Sequence, residues 1–305
     1  MNILKQNLYK LDELRNIVKT KNKNYMKHTA IENCKIVDST ISIVMTSHNR
    51  SKQVYFTLKT ISQSFFKNVH IILVDDSDSD KVDIDILKTF QFYIDFIEID
   101  KDQKCWHNPC VNYNIGFEFI KGSKVIIQNS EVCHIGDVLI FIDNNLKQNE
   151  YLVFDVKTSR GFQENEIIYN MDTDISIFEK DLFSMWYQHH IHINRQFHFM
   201  SALCTDLLKK IDGFSFDYAY GASYDDNDLL LKIQSTGALV KSIDNTSHNI
   251  GGIHLYHASA PETWDKAEIN ERLFSLKKRF VELNGYYLEI SNKDDKENAY
   301  QKLFS

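Results

Sequence analysis

The sequence predicts an α/β fold with a doubly wound, mainly parallel sheet flanked by helices. Short β-branched runs alternate with helical patterns, and each run ends abruptly in polar residues. Such a bounded apolar run is typical of a buried strand in a parallel sheet. Strands that alternate with helices are typical of sheets covered on both faces. Right-handed crossovers then place the polar strand ends along one edge, where ligands bind in open α/β sheets.

The composition narrows the class of protein. The 305 residues are 43% hydrophobic and 25% charged, which suffices for one large domain or two small ones. A formal net charge of -7 argues against nucleic acid as the main partner. Only 10 glycines and 2 prolines occur, and no Walker or dinucleotide-binding glycine motif is present. P-loop and Rossmann dehydrogenase functions are therefore disfavoured.

Cysteine usage and hydropathy indicate the compartment. Five cysteines without a C-x-x-C pair predict reduced thiols rather than disulfides or a zinc site. No signal core is visible, and no run approaches the ~18 apolar residues of a membrane span. We therefore expect a cytoplasmic protein without a membrane span.

The first half of the chain has a regular order of elements. Residues 1–38 carry leucines at helical spacing and predict an amphipathic extension, which packs on its own domain or forms a homodimer contact. Strands are expected at residues 41–46, 69–74, 93–99, 125–127 and 151–156. Helices are expected between them at residues 51–65, 82–90, 108–120 and 136–148.

The second half is less regular. Strands are expected at residues 197–203, 238–243 and 252–256, helices at 225–233 and 262–284 (the latter on Trp264), and a solvated tail at 291–297. These elements predict a helical extension (1–38), a main domain (39–260) and a C-terminal helical extension with a tail (261–305). The main domain divides into halves at residues 39–156 and 157–260.

A polar cluster follows the fourth strand. Asn129, Ser130 and Glu131 supply an amide, a hydroxyl and a carboxylate at the strand end. Such oxygen ligands can hold a hard cation together with the phosphates it accompanies. The alternative is a turn in which Asn129 and Ser130 only cap the backbone.

Two aspartates, Asp75 and Asp76, follow the second strand. Carboxylates at a strand end can accept hydrogen bonds from a ribose or from the N–H of a base. The spacing of Asp76, Asp78 and Asp80 is that of a calcium loop, but Lys81 stands where that loop needs glycine, so we reject a calcium site. A solvated acidic turn is the alternative.

A third acidic cluster opens the helix at residue 225. Asp225, Asp226 and Asp228 exceed what helix capping requires, although one of them can cap. A general base for a hydroxyl nucleophile must be a carboxylate or an imidazole within hydrogen-bond reach. The cluster therefore predicts such a base.

Histidines and aromatic residues supply two further groups. His254 and His257 are three residues apart, so both can ligate one metal only if the strand ends between them; we favour one ligand and one packing residue. The stretch from Trp186 to His198 predicts an aromatic wall for a sugar or a base, or alternatively a histidine-rich surface loop.

In this order the clusters resemble the GT-A-fold (nucleotide-diphospho-sugar transferase) glycosyltransferases, family 2 in particular. The run from Thr46 to Arg50 resembles the strand-end motif that borders the nucleotide base, and Val74 to Asp78 resembles the strand whose aspartate contacts uracil or ribose. The helix from Asn108 to Gly116 resembles an Arg-Asn-x-Gly motif, with Tyr113 in place of the arginine. Gln128 to Glu131 lies where the family carries Asp-x-Asp, and Asn129 is uncharged.

The resemblance continues into the acceptor half. Residues from Asp212 to Asp228 resemble the acceptor-side motif, in which Asp226 matches the catalytic base and Asp225 its acidic neighbour. In galactosyltransferase-like C-terminal halves a histidine past this helix ligates the metal, which here implies His254 or His257 beside Glu131. The acceptor side is then expected at Trp186, His189, His198 and Tyr224. The donor nucleotide is expected at Thr46, Ser47, Asn49, Arg50, Asp75, Asp76, Asn114, Gln128 and Asn129.

The resemblance implies a hexosyltransferase that moves a sugar from a nucleoside diphosphate sugar to an acceptor hydroxyl with inversion. It implies a Mn²⁺ or Mg²⁺ cofactor, weakened by Asn129. UDP-sugars are favoured as donors, with GDP-sugars as the alternative, and the acceptor is a glycan, glycolipid or glycoprotein. Two other functions stay open: a non-catalytic carbohydrate- or nucleotide-binding protein of this fold, and a sugar nucleotidyltransferase. The latter normally needs a glycine-rich loop after the first strand, where Ser47 to Arg50 contain none.

Overall fold

A computed structural model describes residues 2–170, 185–258, 266–290 and 296–304. The strands are β1 (Met26–Glu32), β2 (Ile41–Ser47), β3 (Val69–Asp75), β4 (Tyr93–Ile99), β5 (Lys124–Asn129), β6 (Val132–Ile135), β7 (Glu150–Phe154), β8 (Val156–Thr158), β9 (Trp186–Gln188), β10 (Met200–Cys204), β11 (Leu239–Ile243) and β12 (Gly251–His254). The helices are α1 (Asn2–Lys19), α2 (Ser51–Ser62), α3 (Ile84–Leu87), α4 (Cys110–Phe117), α5 (Val138–Asn145), α6 (Phe162–Tyr169), α7 (Thr205–Ile211), α8 (Asp225–Ser235), α9 (Asn245–His248), α10 (Ala267–Asn284) and α11 (Lys296–Phe304).

The main sheet has eight strands in the order β1-β4-β3-β2-β5-β10-β7-β11. Strands β4, β3, β2 and β5 are parallel, whereas β1 and β10 run antiparallel to their neighbours. The chain moves outward from β2 through β3 and β4 and then returns to β5 on the other side of β2. The topological switch point therefore lies between β2 and β5, and ligands bind beyond the strand ends at such a point. The predicted α/β class with a mainly parallel sheet is confirmed.

A second sheet orders its strands β6-β12-β8-β9. Strand β12 pairs antiparallel with β6, with His254 opposite Val132. The backbone N–H of Leu255 donates to the carbonyl of Glu131 at 2.9 Å. This pairing brings the histidine strand next to the turn between β5 and β6, although more than 110 residues separate them in sequence.

Helix α4 is the central helix of the fold. Every residue from Cys110 to Gly116 is buried. A Cβ on Gly116 would lie 2.6 Å from Val44 Cγ1, so the absence of a side chain lets the helix approach β2 closely. The helix consequently carries its polar residues, among them Asn112 and Asn114, into the interior near the strand ends.

Several elements differ from the sequence prediction. Residues 26–32, expected within a helical extension, form the edge strand β1; only Met26 and Ile31 of this strand are buried, so the sequence shows little alternation. The division of the chain at residues 38/39 and 260/261 stays a prediction. Residues 296–304, expected within or beyond a solvated tail, form α11. Trp264 lies outside the described residues.

The helix expected at residues 136–148 begins later, at Val138, and a strand precedes it. Gly136 takes φ +67°, and a Cβ there would lie 2.1 Å from the carbonyl oxygen of Asn249. Asp137 then caps the helix by accepting from the N–H of Ile140 at 3.1 Å. None of the helices in the described part of the chain combines the length and apolar character that crossing a membrane requires.

Candidate active site

The turn between β5 and β6 holds a buried carboxylate, Glu131, whose Oε1 faces three basic side chains. Arg50 Nη1 donates to this oxygen at 2.6 Å, and the Nε2 atoms of His254 and His257 lie 3.3 and 3.4 Å from it. Burial opposes ionisation, but Arg50 and the two histidines hold the pKa of Glu131 well below its usual range. Glu131 is therefore a buried anion.

Both histidines approach Glu131, whereas the sequence favoured one ligand and one packing residue. Strand β12 ends at His254, so His257 is released from the alternation of strand side chains. His257 Nδ1 lies 3.1 Å from the carbonyl of Ala258, which can only accept, so Nδ1 carries a proton and Nε2 is the ring nitrogen that faces Glu131. Metal-bound histidines usually have this arrangement.

His254 completes this group of three ligands. Its Nε2 is buried and makes no hydrogen bond of good geometry within the described structure, and the ring of Tyr187 stacks on the imidazole at 4.0 Å. One ligand atom from each of Glu131, His254 and His257 lies within 4.8 Å of the others. A buried carboxylate and two imidazole nitrogens that face it together fit a divalent cation.

The aspartates after β3 have different surroundings. Asp75 accepts from the backbone N–H of Ser77 at 3.3 Å and of Val82 at 3.1 Å, so it closes the loop that follows the strand. Asp76 binds side chains instead: His48 Nδ1 lies 3.0 Å from Oδ1, and Asn112 Nδ2 donates to Oδ2 at 2.9 Å.

Lys104 also pairs with Asp76, and it contacts the oxygen that Asn112 contacts. Burial would raise the pKa of Asp76, but the hydrogen bonds from His48 and the charge of Lys104 hold it far below its usual range. The sequence prediction missed His48, Lys104 and Asn112 as partners. Two signals were present: His48 lies within the run from Thr46 to Arg50, and Asn112 lies two residues before Asn114 in the same helix.

The loop after β2 is organised by Asn49. This residue takes φ +54°, and its Oδ1 accepts from the backbone N–H groups of Asp78, Ser79 and Asp80 at 3.0–3.1 Å. Ser47 precedes it and has a buried hydroxyl without a hydrogen-bond partner in the described structure. Asn49 thus holds the acidic loop in place, while Ser47 keeps an unused donor and acceptor.

Helix α4 connects the strand ends to the acceptor half. Tyr113 donates its hydroxyl to the carbonyl of Gln128 at 3.0 Å and lies 3.4 Å from Asn129 Oδ1 and close to Thr46. Asn114 bonds both the N–H and the carbonyl of Phe214 at 2.9 Å. Asn114 therefore holds the turn at Phe214.

Gln128 is also turned inward. Its amide donates to the carbonyl of Val132 at 3.1 Å, and its Oε1 lies 2.7 Å from His134 Nε2. These bonds brace the turn that carries Glu131. The partly exposed side chain beside this turn is that of Asn129.

The three aspartates at the start of α8 have different surroundings. Asp225 is buried and accepts from Asn108 Nδ2 at 3.1 Å, and burial together with the charge of Asp226 raises its pKa to about 7. Asp226 pairs with His198 and keeps 21% of its side chain exposed. Asp228 accepts from the hydroxyls of Tyr218 and Tyr287 at 3.0 and 2.6 Å and belongs to the core.

The three carboxylate sites surround helix α4. Burial raises the pKa of Tyr113, and the charges of Glu131, Asp226 and Asp225 raise it further, so this side chain lies within electrostatic reach of both clusters. Asp76 is linked to the same helix through Asn112, the residue before Tyr113. The structure thus brings the three acidic strand-end and helix-end groups to one region of the molecule.

The four residues expected on the acceptor side have different neighbours. Trp186 packs at 4.2 Å on the ring of His189, and Tyr224 packs on Phe274 at 5.9 Å. His189 belongs to a second group with Asp155 and His190 whose ligand atoms also lie within 4.8 Å of one another. Of the four, His198 is the one in contact with Asp226.

Comparison with known proteins agrees with this geometry. The family model described as glycosyl transferase family 2 matches residues 42–211. No curated protein matches the chain. The crystal structure of S. aureus TarS 1–349 in complex with UDP-GlcNAc has a TM-score of 0.54 at 14% identity, over 87% of this chain and 70% of that chain.

Two further structures are similar. The S. aureus TarS 1–349 complex with UDP has a TM-score of 0.52 at 16% identity, over 87% of this chain and 69% of that chain. The mannosyltransferase PcManGT from Pyrobaculum calidifontis, in complex with GDP-Man and Mn²⁺, has a TM-score of 0.48 at 10% identity, over 99% and 79% of the two chains. With the family model covering more than half of the chain and a GT-A sheet topology, the protein belongs to glycosyl transferase family 2 and is a glycosyltransferase.

Proposed function

We propose that the protein transfers a sugar from a nucleoside diphosphate sugar, favoured to be a UDP-sugar, to an acceptor hydroxyl with inversion at the anomeric carbon. The observation that carries this proposal is the pair of clusters on either side of Tyr113. Glu131, His254 and His257 form a cation-binding group, and Asp226 is a carboxylate with an exposed part. One cluster suits a diphosphate and the other suits a hydroxyl nucleophile.

The donor nucleotide occupies the strand ends of β2, β3 and β5 in this proposal. Thr46, Ser47, Arg50, Asp76 and Asn129 offer side chains there. The other predicted donor residues act indirectly, because their polar atoms hold the surrounding loops: Asn49, Asp75, Asn114 and Gln128.

Glu131, His254 and His257 would hold a divalent cation. Two imidazole ligands favour Mn²⁺ over Mg²⁺, which prefers oxygen ligands and bound water. When bound, such a cation supplies Lewis-acid stabilisation to the charge on a leaving diphosphate. Because Asn129 is uncharged, the protein provides one carboxylate at this group rather than two. Arg50 supplies a positive charge beside that carboxylate, Glu131.

Asp226 acts as the general base in the proposed single displacement. Its carboxylate takes the proton of the acceptor hydroxyl while the oxygen forms a bond to the anomeric carbon. The bond between that carbon and the diphosphate breaks at the same time, and attack from the opposite face inverts the configuration. Trp186 and Tyr224 are proposed to contact a glycan, glycolipid or glycoprotein acceptor.

A donor-turnover screen tests the function. Sugar nucleotides with uridine and guanosine bases are incubated with the protein and Mn²⁺, and release of the nucleoside diphosphate is measured. We expect turnover with at least one sugar nucleotide. We expect Asp226→Asn to lower that turnover by a factor of about 10²–10⁴ while calorimetric binding of UDP with Mn²⁺ is retained.

Calorimetric nucleotide binding without turnover of any sugar nucleotide would contradict the proposed transfer. Turnover that survives Asp226→Asn would contradict the base assignment.

A further inference from the structure

We propose that His198 is a positioning residue for the general base: it orients the carboxylate of Asp226 and supplies the positive charge that keeps it ready to accept a proton. This inference rests on the proposed function, because it assigns a second residue to the same base. His198 was expected to contact the acceptor on sequence grounds, and its surroundings give it this different role.

The contact between the two side chains is exclusive. His198 Nδ1 and Asp226 Oδ1 form an ion pair. Both atoms are shielded from solvent, and neither has another hydrogen-bond partner among the described residues. The His198 side chain is 5% exposed and that of Asp226 21%, so the accessible part of Asp226 lies away from Oδ1. The second oxygen, Oδ2, is then the one that receives the proton of the acceptor hydroxyl.

Two aromatic rings fix the imidazole. Tyr113 contacts it edge-on at 4.8 Å and 82°, and Phe214 does so at 4.9 Å and 80°. Each ring is held in turn, since the Tyr113 hydroxyl donates to the carbonyl of Gln128 and Asn114 bonds the backbone of Phe214. The imidazole has little freedom to rotate, and the carboxylate bound to it therefore has a fixed direction.

The charges around Asp226 explain why a positive charge on His198 is needed. Asp225 is adjacent and buried, and its partner Asn108 is neutral. The titratable groups that act on His198 are Asp226, Asp225 and Glu131; burial lowers its pKa, but these carboxylates outweigh burial and raise it. A histidine with a raised pKa stays protonated to higher pH. The imidazolium of His198 therefore faces Asp226 near neutrality, and its charge is lost as the pH rises through the raised pKa.

The proton balance keeps His198 out of the bond-making step. The acceptor proton goes to Asp226, the acceptor oxygen bonds the anomeric carbon, and the bond to the diphosphate breaks. His198 retains its own proton throughout. It therefore acts through Asp226 and does not touch the substrate.

Two substitutions at His198 separate charge from packing. His198→Asn keeps an N–H donor without a charge, and His198→Phe keeps a ring between Tyr113 and Phe214 without a donor. His28→Asn is the matched control, because His28 also pairs with an aspartate, Asp95, at 2.8 Å on the distant edge strand β1. The rate of nucleoside diphosphate release is measured from pH 5 to pH 9 with the sugar nucleotide that the wild-type protein turns over fastest.

We expect kcat to fall about tenfold in His198→Asn and about 100-fold in His198→Phe, with the KM for the donor changed less than about threefold. In both variants we expect the acid limb of the pH–rate profile to shift to higher pH by about one unit, because the positive charge of His198 beside Asp226 is lost. His28→Asn leaves kcat and the profile unchanged. An unmoved acid limb with kcat within about twofold of wild type contradicts the proposal, as does a raised KM at constant kcat, which indicates a binding role.

A second measurement does not depend on turnover. The imidazole signal of His198, assigned by its loss in His198→Asn, is titrated by NMR in the wild-type protein and in Asp226→Asn. We expect its midpoint to fall in Asp226→Asn; an unchanged midpoint overturns the pairing. If Asp226→Asn turns over normally, the proposed base is wrong, whereas an inactive Asp226→Asn beside normal His198 variants contradicts this inference alone.

Discussion

Among the residues that the structure describes, two groups combine one carboxylate with two histidines, and they differ in the direction of their hydrogen bonds. In the first, His257 donates from Nδ1 to a carbonyl and turns Nε2 toward Glu131, so a neutral His257 has its lone pair on Nε2. In the second, His189 Nδ1 accepts from the backbone N–H groups of Ile191 and His192 at 3.0 and 3.2 Å. The proton of a neutral His189 therefore sits on Nε2, the atom that faces Asp155.

This difference indicates which of the two groups is arranged to bind a metal. A nitrogen that carries a proton cannot ligate a metal, so the Asp155 group is not arranged for one although its ligand atoms also lie within 4.8 Å of one another. Asp155 instead accepts from the backbone N–H groups of His190 and Asn245 at 2.8 and 3.2 Å. The hydrogen bond made by the second nitrogen of each imidazole therefore distinguishes the two groups better than the distances between their ligand atoms do.

The largest expected effect follows from substituting each carboxylate. Glu131→Gln should lower Mn²⁺ affinity at least about 100-fold and abolish measurable transfer, because the anion of the group is lost. Asp155→Asn should leave Mn²⁺ affinity unchanged and lower the free energy of unfolding by about 1–3 kcal/mol, because a buried acceptor of backbone N–H groups is altered. Calorimetry with Mn²⁺ and urea denaturation measure the two quantities; equal effects on Mn²⁺ affinity would remove the distinction.

The histidines provide the next test. His254→Asn and His257→Asn should each weaken Mn²⁺ binding about 10–100-fold. His190→Asn, in the structural cluster, serves as the control and should bind Mn²⁺ as tightly as the wild-type protein. If only one of His254 and His257 mattered for Mn²⁺ affinity, the other would be a packing residue, as the sequence pattern alone suggested.

Arg50 has a smaller and opposite expected effect. Its guanidinium occupies the oxygen of Glu131 that both histidines face, so it competes with a cation for that atom. Arg50→Met should raise the Mn²⁺ affinity of the nucleotide-free protein about three- to tenfold, since removing one positive charge lowers the repulsion. Lys52→Met, an exposed change two residues away in α2, is the control. Weaker Mn²⁺ binding in Arg50→Met would show that Arg50 supports the cation site.

A further expected effect is on stability rather than on metal binding, and it concerns Asp225, a buried carboxylate that accepts from Asn108. Its folded pKa is raised to about 7, so the folded protein binds this proton more tightly than the unfolded chain does. Its contribution to stability is therefore present below the unfolded value of about 3.9 and is lost as the pH rises toward about 7. Asp225→Asn should remove this decline, which is on the order of 1–4 kcal/mol.

Urea denaturation at several values between pH 4 and pH 7.5 measures this slope. Asp76→Asn is the contrasting variant: the pKa of Asp76 is lowered, so its contribution is present above the unfolded value and is lost as the pH falls. A slope for Asp225→Asn identical to that of the wild-type protein would contradict the assignment.

The parts of the fold that the sequence predicts are those whose cause is local. The strands from Ile41, Val69 and Tyr93 are mainly apolar, and the acidic groups at Asp76, Glu131 and Asp226 lie next to the end or the start of an element. The edge strand at Met26 was missed because only Met26 and Ile31 of this strand are buried, and its pairing with β4 depends on residues 61 to 73 positions away.

The partners in the site were less predictable because they depend on distant contacts. His254 meets Glu131 only through the pairing of β12 with β6, and Lys104 reaches Asp76 from an irregular loop. Asn114 and Gln128 have the residue types of ligand contacts, yet their polar atoms are used by Phe214 and Val132. A polar residue at a predicted strand end thus indicates a site without indicating whether it faces the ligand or braces a loop.

The most direct test of the account is the position of bound Mn²⁺. Crystals of the protein grown with UDP and Mn²⁺ would be measured at a wavelength where manganese scatters anomalously. The account predicts one anomalous peak in bonding contact with Glu131, His254 and His257, and none beside Asp155, His189 and His190. A peak at the Asp155 group, or full nucleotide occupancy with no peak at Glu131, would contradict it.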